Sequence, residues 1–297
     1  MRVLVTGGSG FVGKRLQRYK SNWAYISSKD CNLMDQHACD QMLRKYKPDA
    51  IIHLAARVGG IKENAENQAT FYYENVTMNT NLLECAYRNN VKRVLSSLST
   101  CAFPNILCEY PFSEKDIFNG PPAETNFSYG YAKRSLHVQS LSYRKQYGVN
   151  YSTFCPSNVY GPNDSFNDES SHFVAALIKK FAEAKNGDTL CFWGTGKPLR
   201  QQLYVDDLVK ILPVLLEKHN SDIPLIVALK ENLSIENMVQ ACLRVSKKNV
   251  DYYFDGSLDG QYRKDGDNSR LLKLIGEFKF TSFEEGVKKT YEWYNGN

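Results

Sequence analysis

A short β-rich run, Val3-Leu4-Val5, breaks into Thr6-Gly7-Gly8-Ser9-Gly10, and Phe11-Val12-Gly13-Lys14-Arg15-Leu16 can open a helix directly afterwards. Strand, tight turn and helix in so few residues point to an α/β arrangement, in which the helix packs back on a parallel sheet. Gly7, Gly10 and Gly13 fall at G-x-x-G-x-x-G. Missing β-carbons at such points permit a tight turn, close approach of backbone to a pyrophosphate, and helix-on-strand packing, while the helix N-terminus faces the phosphates. Gly7, Gly8, Ser9, Gly10, Phe11, Val12 and Gly13 therefore form a candidate dinucleotide cradle; the plainer alternative is an ordinary βα turn.

The alternation continues with strands over 23–26, 50–54, 93–98 and 151–155 and helices over 36–46, about 65–90 and 129–147. Strands separated by such helices pair in parallel through crossovers, so residues 1–160 are expected to form a doubly wound α/β (Rossmann) domain. After Pro156 the rhythm changes to an Asn-, Asp-, Ser- and Gly-rich loop over 161–171, a helix near 172–184 and shorter strands. A smaller C-terminal substrate lobe over 161–201 and 229–297 is expected, with 202–228 returning to the first domain. Ser282-Phe283-Glu284-Glu285 predicts a capping box for a final helix ending at Gly296.

The 297 residues are 42% apolar and 23% charged, which excludes disorder as the main state. A net charge of +5, spread along the chain, argues against nucleic-acid binding and suits an anionic small substrate. No apolar run approaches the roughly 18 residues of a membrane span, and the first ten residues do not read as a leader. A soluble, unexported, cytoplasmic protein is the expectation. Eight cysteines without a C-x-x-C pair or zinc spacing predict reduced thiols and no metal.

Tyr129 and Lys133 stand four apart in the predicted helix, hence on one face. The same spacing recurs at Tyr25 and Lys29, so order along the chain matters more. Tyr129 follows the strand leading into Ser96-Ser97-Leu98-Ser99-Thr100-Cys101, which delivers hydroxyls and a thiol to the carboxyl edge of the sheet, where α/β ligands bind. Cys101 lies two residues after Ser99, on the same side of the pleat. A phenol with pKa about 10 is a poor proton shuttle near neutrality. An ammonium at about 5 Å with an effective dielectric of about 20 favours the phenolate by roughly 3 kcal/mol, near two pKa units. Ser99 would donate a second hydrogen bond to the same carbonyl oxygen. At the end of the second strand, Ser28 and Lys29 can donate to a ribose 2′-phosphate and favour NADP, whereas Asp30 could hold a 2′-hydroxyl and select NAD.

Glycine turn, Ser99 and Tyr129-x-x-x-Lys133 together resemble the extended short-chain dehydrogenase/reductase family over nearly the whole chain. Pro156 to Pro162 and Arg200 to Asp207 are similar to later motifs of members acting on nucleotide sugars. Four further stretches, His53 to Ile61, Ser99 to Pro104, Ser171-His172 and Phe192 to Gly196, are similar to members that epimerise and reduce a GDP-linked 4-keto-6-deoxy sugar. The resemblance implies Cys101 and His172 as the proton-transfer pair at C3 and C5, and NADPH as the reductant at C4. It implies Lys180, Trp193, Arg200, Arg263 and Asp265 as contacts to the GDP-sugar substrate. Further cofactor contacts are implied at Asn32, Leu33, Ala55, Ala56, Ser97, Leu98, Pro156, Asn158, Val159 and His172. Relatives usually form homodimers through two long helices per subunit, which 65–90 and 129–147 could supply.

Plainer readings apply elsewhere. Cys85, Cys155 and Cys242 read as small core residues, and His37, His137 and His219 as solvated. Lys179 and the Lys288-Lys289 pair read as solvated helix faces; Trp193, in a short strand, reads as either a lid or core. Two rivals stand beside the reductase reading. A 4,6-dehydratase or 4-epimerase would keep its cofactor oxidised, but a dehydratase needs an acidic pair where Cys101-Ala102 stands. A non-catalytic dinucleotide sensor would commonly lose Tyr or Lys, and both persist here.

Overall fold

The computed structural model describes residues 1–167, 171–257, 259 and 261–296; residues 168–170 of the expected loop lie outside them. In chain order the elements are β1 (Val3–Thr6), α1 (Phe11–Tyr19), β2 (Ala24–Ile26), α2 (Gln36–Tyr46), β3 (Ala50–His53), α3 (Ile61–Glu66), α4 (Gln68–Arg88), β4 (Arg93–Ser97), α5 (Phe127–Tyr147), β5 (Asn150–Pro156) and β6 (Asn158–Tyr160). There follow α6 (Phe173–Glu183), β7 (Thr189–Phe192), β8 (Leu199–Arg200), β9 (Gln202–Tyr204), α7 (Val205–Lys218), β10 (Leu225–Val227) and β11 (Leu233–Ser234). The chain then runs through α8 (Ile235–Ser246), β12 (Asp251–Phe254), β13 (Arg263–Lys264), α9 (Ser269–Ile275) and α10 (Phe283–Asn295).

Six strands form a parallel sheet in the order β10-β5-β4-β3-β1-β2. The strand order reverses between β1 and β3, and a crevice at such a switch point is where doubly wound folds take their ligands. Alternation along the strands fills both faces, as a covered parallel sheet requires. Leu4, Ile51, Val94 and Cys155 pack under α2 and α4 through Leu43, Leu82 and Leu83. Val3, Val5, Ile52, Leu95 and Phe154 pack on the other face against Leu16 of α1 and Leu208, Leu212 and Leu215 of α7. A third apolar cluster joins α6, α8 and α10 through Leu177, Phe181, Met238, Phe283 and Val287, with Phe192 of β7.

Local chemistry sets the helix ends. Asp35 caps α2 by accepting from the His37 and Ala38 amides, and Gly148, at φ 66°, closes α5 with its N–H on the Arg144 carbonyl. The helix expected over about 65–90 is α4, and a separate short helix, α3, precedes it because Asn67 leaves the helical region at φ −122°, ψ 35°. Only half of the predicted capping box forms at α10: Ser282 accepts from the Glu285 amide, while the Glu285 carboxylate pairs with Lys289 at 2.7 Å.

The solvated reading of His137 and His219 is corrected. Both are 3% exposed; His137 Nδ1 meets Thr153 Oγ1 at 2.9 Å and His219 Nε2 meets the Thr153 carbonyl at 3.0 Å. Burial lowers both imidazoles to about 4, keeping them neutral.

Candidate active site

The turn after β1 is built by its glycines. Gly7 sits at φ +75°, and a Cβ there would lie 2.8 Å from the Ala55 amide nitrogen. A Cβ at Gly13 would lie 2.2 Å from the Gly7 carbonyl oxygen, so α1 seats directly on the turn. Gly10 is the N-cap of α1; it has no side chain to cap the helix, and the first turn holds no acidic residue. No side chain takes up the first amides of this helix, which starts beside exposed Ser9. A pyrophosphate fits this cradle by charge and by backbone access. Phe11 and Val12 anchor the helix by packing toward the sheet.

After β2, the Ser27 amide and hydroxyl donate to Asp30 Oδ2 at 2.8 and 2.6 Å, and these bonds hold the Asp30 carboxyl below its usual range. The carboxylate thus closes the turn that carries exposed Ser28 and Lys29. Asn32 is exposed, whereas the Leu33 side chain is 6% exposed in the core, so only its backbone could meet a cofactor. Leu98, at 3%, is likewise limited to its backbone. Ala55 and Ala56 follow β3 half-buried, with the Ala55 N–H on Thr6 Oγ1 at 3.3 Å. Pro156, Asn158 and Val159 lie at the carboxyl end of β5 and in β6, with Asn158 exposed.

Ser99, Cys101, Tyr129 and Lys133 come together at the carboxyl end of β4. The pleat expected to align Ser99 with Cys101 is not there. Ser99 instead caps a short 3₁₀ turn, Thr100–Ala102, and its Oγ accepts from the Cys101 amide at 3.2 Å, leaving the hydroxyl proton free to donate. Inward spacing on α5 (Tyr129, Ala132, Lys133, Leu136, His137, Ser140) turns the phenol and ammonium toward this turn. The helix presses close, since a Cβ at Gly130 would lie 2.4 Å from the Cys101 carbonyl oxygen.

The expected depression of the Tyr129 phenol is corrected by the structure. Burial pushes it well above its ordinary value, nearby Cys101 adds to the rise, and the hydrogen bond with Ser99 opposes it. Lys133 lies 5.8 Å from the ring centroid and donates to the Ser97 carbonyl at 3.0 Å; burial lowers its ammonium to about 8. For both groups desolvation is the largest effect, because both are inside the protein. Tyr129 is consequently held as a neutral O–H, a proton donor at rest.

His172, the N-cap of α6, has Asp164 as its described partner, Nδ1 to Oδ1 at 3.5 Å, and this bond raises the imidazole above its ordinary value. The described contacts do not join His172 to the Cys101 group. Lys180 donates to the Cys191 carbonyl and lies 4.8 Å from the centre of the Phe192 ring. Trp193 follows β7 and is 87% exposed, which excludes its reading as core. Arg200, half-buried, donates to the Leu199 carbonyl at 2.7 Å, and burial lowers its guanidinium. Arg263 and Asp265 pair with each other at 2.6 and 2.9 Å, so the Asp265 carboxylate, 5% exposed as a side chain, is already occupied.

Two groups went unassigned from sequence. Lys264 Nζ lies 3.4 Å from Cys101 Sγ, and Asp164 is the buried partner of His172. No local signal marks Lys264, 163 residues from the thiol. Asp164 stands eight residues from His172 in a loop whose folding sequence spacing does not specify.

A switch-point glycine cradle with a serine and a Tyr-x-x-x-Lys pair on the same sheet edge defines an extended short-chain dehydrogenase/reductase. The pattern of the NAD dependent epimerase/dehydratase family matches residues 3–227, and the chain belongs to that family. It is 38% identical to the GDP-L-fucose synthase of Dictyostelium discoideum, over 99% of this chain and 95% of that protein. It is 30% identical to the GDP-L-fucose synthase of Escherichia coli, over 100% and 97%. The crystal structure of a GDP-L-fucose synthetase from Naegleria fowleri bound to NADP superposes with a TM-score of 0.92 at 36% identity, covering 99% of this chain and 92% of that one.

Proposed function

We propose that this protein converts GDP-4-keto-6-deoxy-D-mannose to GDP-L-fucose by epimerisation at C3 and C5 and NADPH-dependent reduction at C4. The observation that carries this reading is the cluster of Ser99, Cys101 and Tyr129 at one sheet edge: a thiol beside two groups able to hold one ketone oxygen. Hydrogens at C3 and C5 are acidic because they flank the C4 ketone. Cys101 as thiolate can remove them while Ser99 and Tyr129 hold the enolate oxygen, and His172 can return a proton from the opposite face. Tyr129, kept protonated by burial, then supplies the proton to the C4 oxygen, with Lys133 beside it. Epimerisation and reduction share one oxyanion site.

NADPH, when bound, supplies the hydride for C4. Residues Gly7 to Gly13 would hold its pyrophosphate, and exposed Ser28 and Lys29 its 2′-phosphate, Asp30 being occupied by Ser27. The cofactor half comprises 1–160 with 202–228, and the remainder receives the GDP-sugar. Arg200 and Lys180 are the cations for the diphosphate, and exposed Trp193 is the lid. Among the described residues no helix is long and apolar enough to cross a membrane, and a cytoplasmic location accords with eight unpaired cysteines. Homodimerisation through α4 and α5 would cover exposed Tyr72, Phe127 and Val138 and the roughly 490 Å³ groove lined by Ala69, Tyr72, Phe127, Ser128 and Tyr131. Incubating the purified protein with the keto sugar and following loss of reduced nicotinamide absorbance tests the reading; no loss with NADPH or NADH refutes it.

A further inference from the structure

Lys264 is the last residue of β13, paired in register with Arg200 of β8. The segment that follows is clamped. The Phe112 amide donates to the Asp265 carbonyl at 2.9 Å and the Asp267 amide to the Phe112 carbonyl at 2.7 Å. The Gln201 amide group holds Gly266 both ways, accepting its N–H at 2.9 Å and donating to its carbonyl at 3.1 Å. A Cβ at Gly266 would lie 2.8 Å from Ile226 Cγ2, so this backbone rests on the edge of the sheet. The root of Lys264 is thereby held where its ammonium meets Cys101 Sγ at 3.4 Å.

Neighbouring charges leave that ammonium directed at the thiol. Arg263 is neutralised by Asp265, and among the described residues no carboxylate pairs with Lys264. Within electrostatic reach of Cys101 are Tyr129 and Lys133 from α5 and Cys155 from β5, and Glu114 acts on Cys155 in turn. Burial keeps the Tyr129 and Cys155 protons in place, and Lys133 is turned to the Ser97 carbonyl. Lys264 is the cation in direct contact.

We propose that Lys264 is a positioning residue that holds Cys101 as the thiolate able to take a proton from the carbon beside the substrate ketone. The inference rests on the epimerase-reductase reading above. In the step, sulfur takes the carbon-bound proton and the C–H electron pair moves to the ketone oxygen as an enolate. Negative charge passes from sulfur to that oxygen, and Lys264 keeps its protons. A cation 3.4 Å from sulfur attracts a negative sulfur and does not attract a neutral one.

The test compares wild type, Lys264→Met and Lys264→Arg, each with NADP present. Alkylation of Cys101 by iodoacetamide is followed against pH by site-resolved mass spectrometry, with exposed Cys108 as internal reference. In Lys264→Met alkylation of Cys101 near neutrality should slow about 10- to 100-fold. Lys264→Arg should restore most of it, and Cys108 should react alike in all three. Solvent deuterium exchange at C3 and C5 should fall in the Met variant at neutral pH and recover as pH rises. Identical Cys101 profiles overturn the proposal, as does a loss of exchange that is equal at every pH or a rise in KM alone. Failure of wild type to turn over the sugar would refute the proposed function instead, and the alkylation comparison would still be readable.

Discussion

Replacing Gly13 by Ala tests how the cradle is built. Alanine is the better helix former by about 1 kcal/mol, so an α1 free of the turn would be stabilised. The structure predicts the reverse, since the new Cβ would lie 2.2 Å from the Gly7 carbonyl oxygen and 2.8 Å from Gly8 Cα, both backbone atoms. Reaching even 3.0 Å from that oxygen requires α1 and the turn to part by about 0.8 Å. Overpacking of this kind costs about 1–3 kcal/mol, which cancels the propensity gain or exceeds it. The displaced part is the start of α1, whose amides would meet the pyrophosphate in the proposed cofactor site, so NADP affinity should drop about 10- to 100-fold, each tenfold being about 1.4 kcal/mol. Titration calorimetry with NADP and thermal unfolding read the two effects. Gly148→Ala is the control: its Cβ meets nothing within 4 Å, although φ is +66°. It should lose about 1 kcal/mol of stability with NADP affinity intact. Wild-type affinity in Gly13→Ala would refute the reasoning.

Three further outcomes are expected. Cys101→Ser should consume NADPH yet yield a reduced sugar not inverted at C3 and C5, read by NMR; unchanged fucose output would remove the thiol from the mechanism. Asp164→Asn should lower stability more at acid than at alkaline pH. The Asp164 bond raises the His172 imidazole, so its contribution is present below about 6.5 and lost as pH rises through the raised value. With the His172 side chain 51% exposed the effect stays under about 1 kcal/mol; denaturant midpoints across pH that move in parallel would contradict it. Lys29→Ala should weaken NADP about tenfold while leaving NAD unchanged, checked by the ratio of the two Kd values; equal losses for both would show that Lys29 does not read the 2′-phosphate.

Local signals carried the sequence reading. The glycine spacing specified the turn because a Cβ at Gly10 or Gly13 would meet the Gly7 carbonyl within the motif itself, whereas the contact of Gly7 with Ala55 after β3 depends on the fold. Helix α2 runs from Gln36 to Tyr46 as its pattern predicts. What sequence could not show depends on distant partners. Thr153 buries His137 across 16 residues and His219 across 66, so helix position alone misread both. The Tyr129 phenol lies near a lysine, as the spacing required, but its proton affinity follows from burial by the whole fold. Strand alternation placed Ser99 and Cys101 together for the wrong reason, since a 3₁₀ turn and not a pleat joins them.

The proposed mechanism requires one pocket that both exchanges protons beside the ketone and receives hydride at it. Running the reaction to completion in deuterium oxide with unlabelled NADPH, followed by NMR of the product, examines it directly. The expected result is one NADPH consumed per GDP-L-fucose formed, deuterium at C3 and C5, and protium at C4. A reduced product that retains its original hydrogens at C3 and C5 would contradict it.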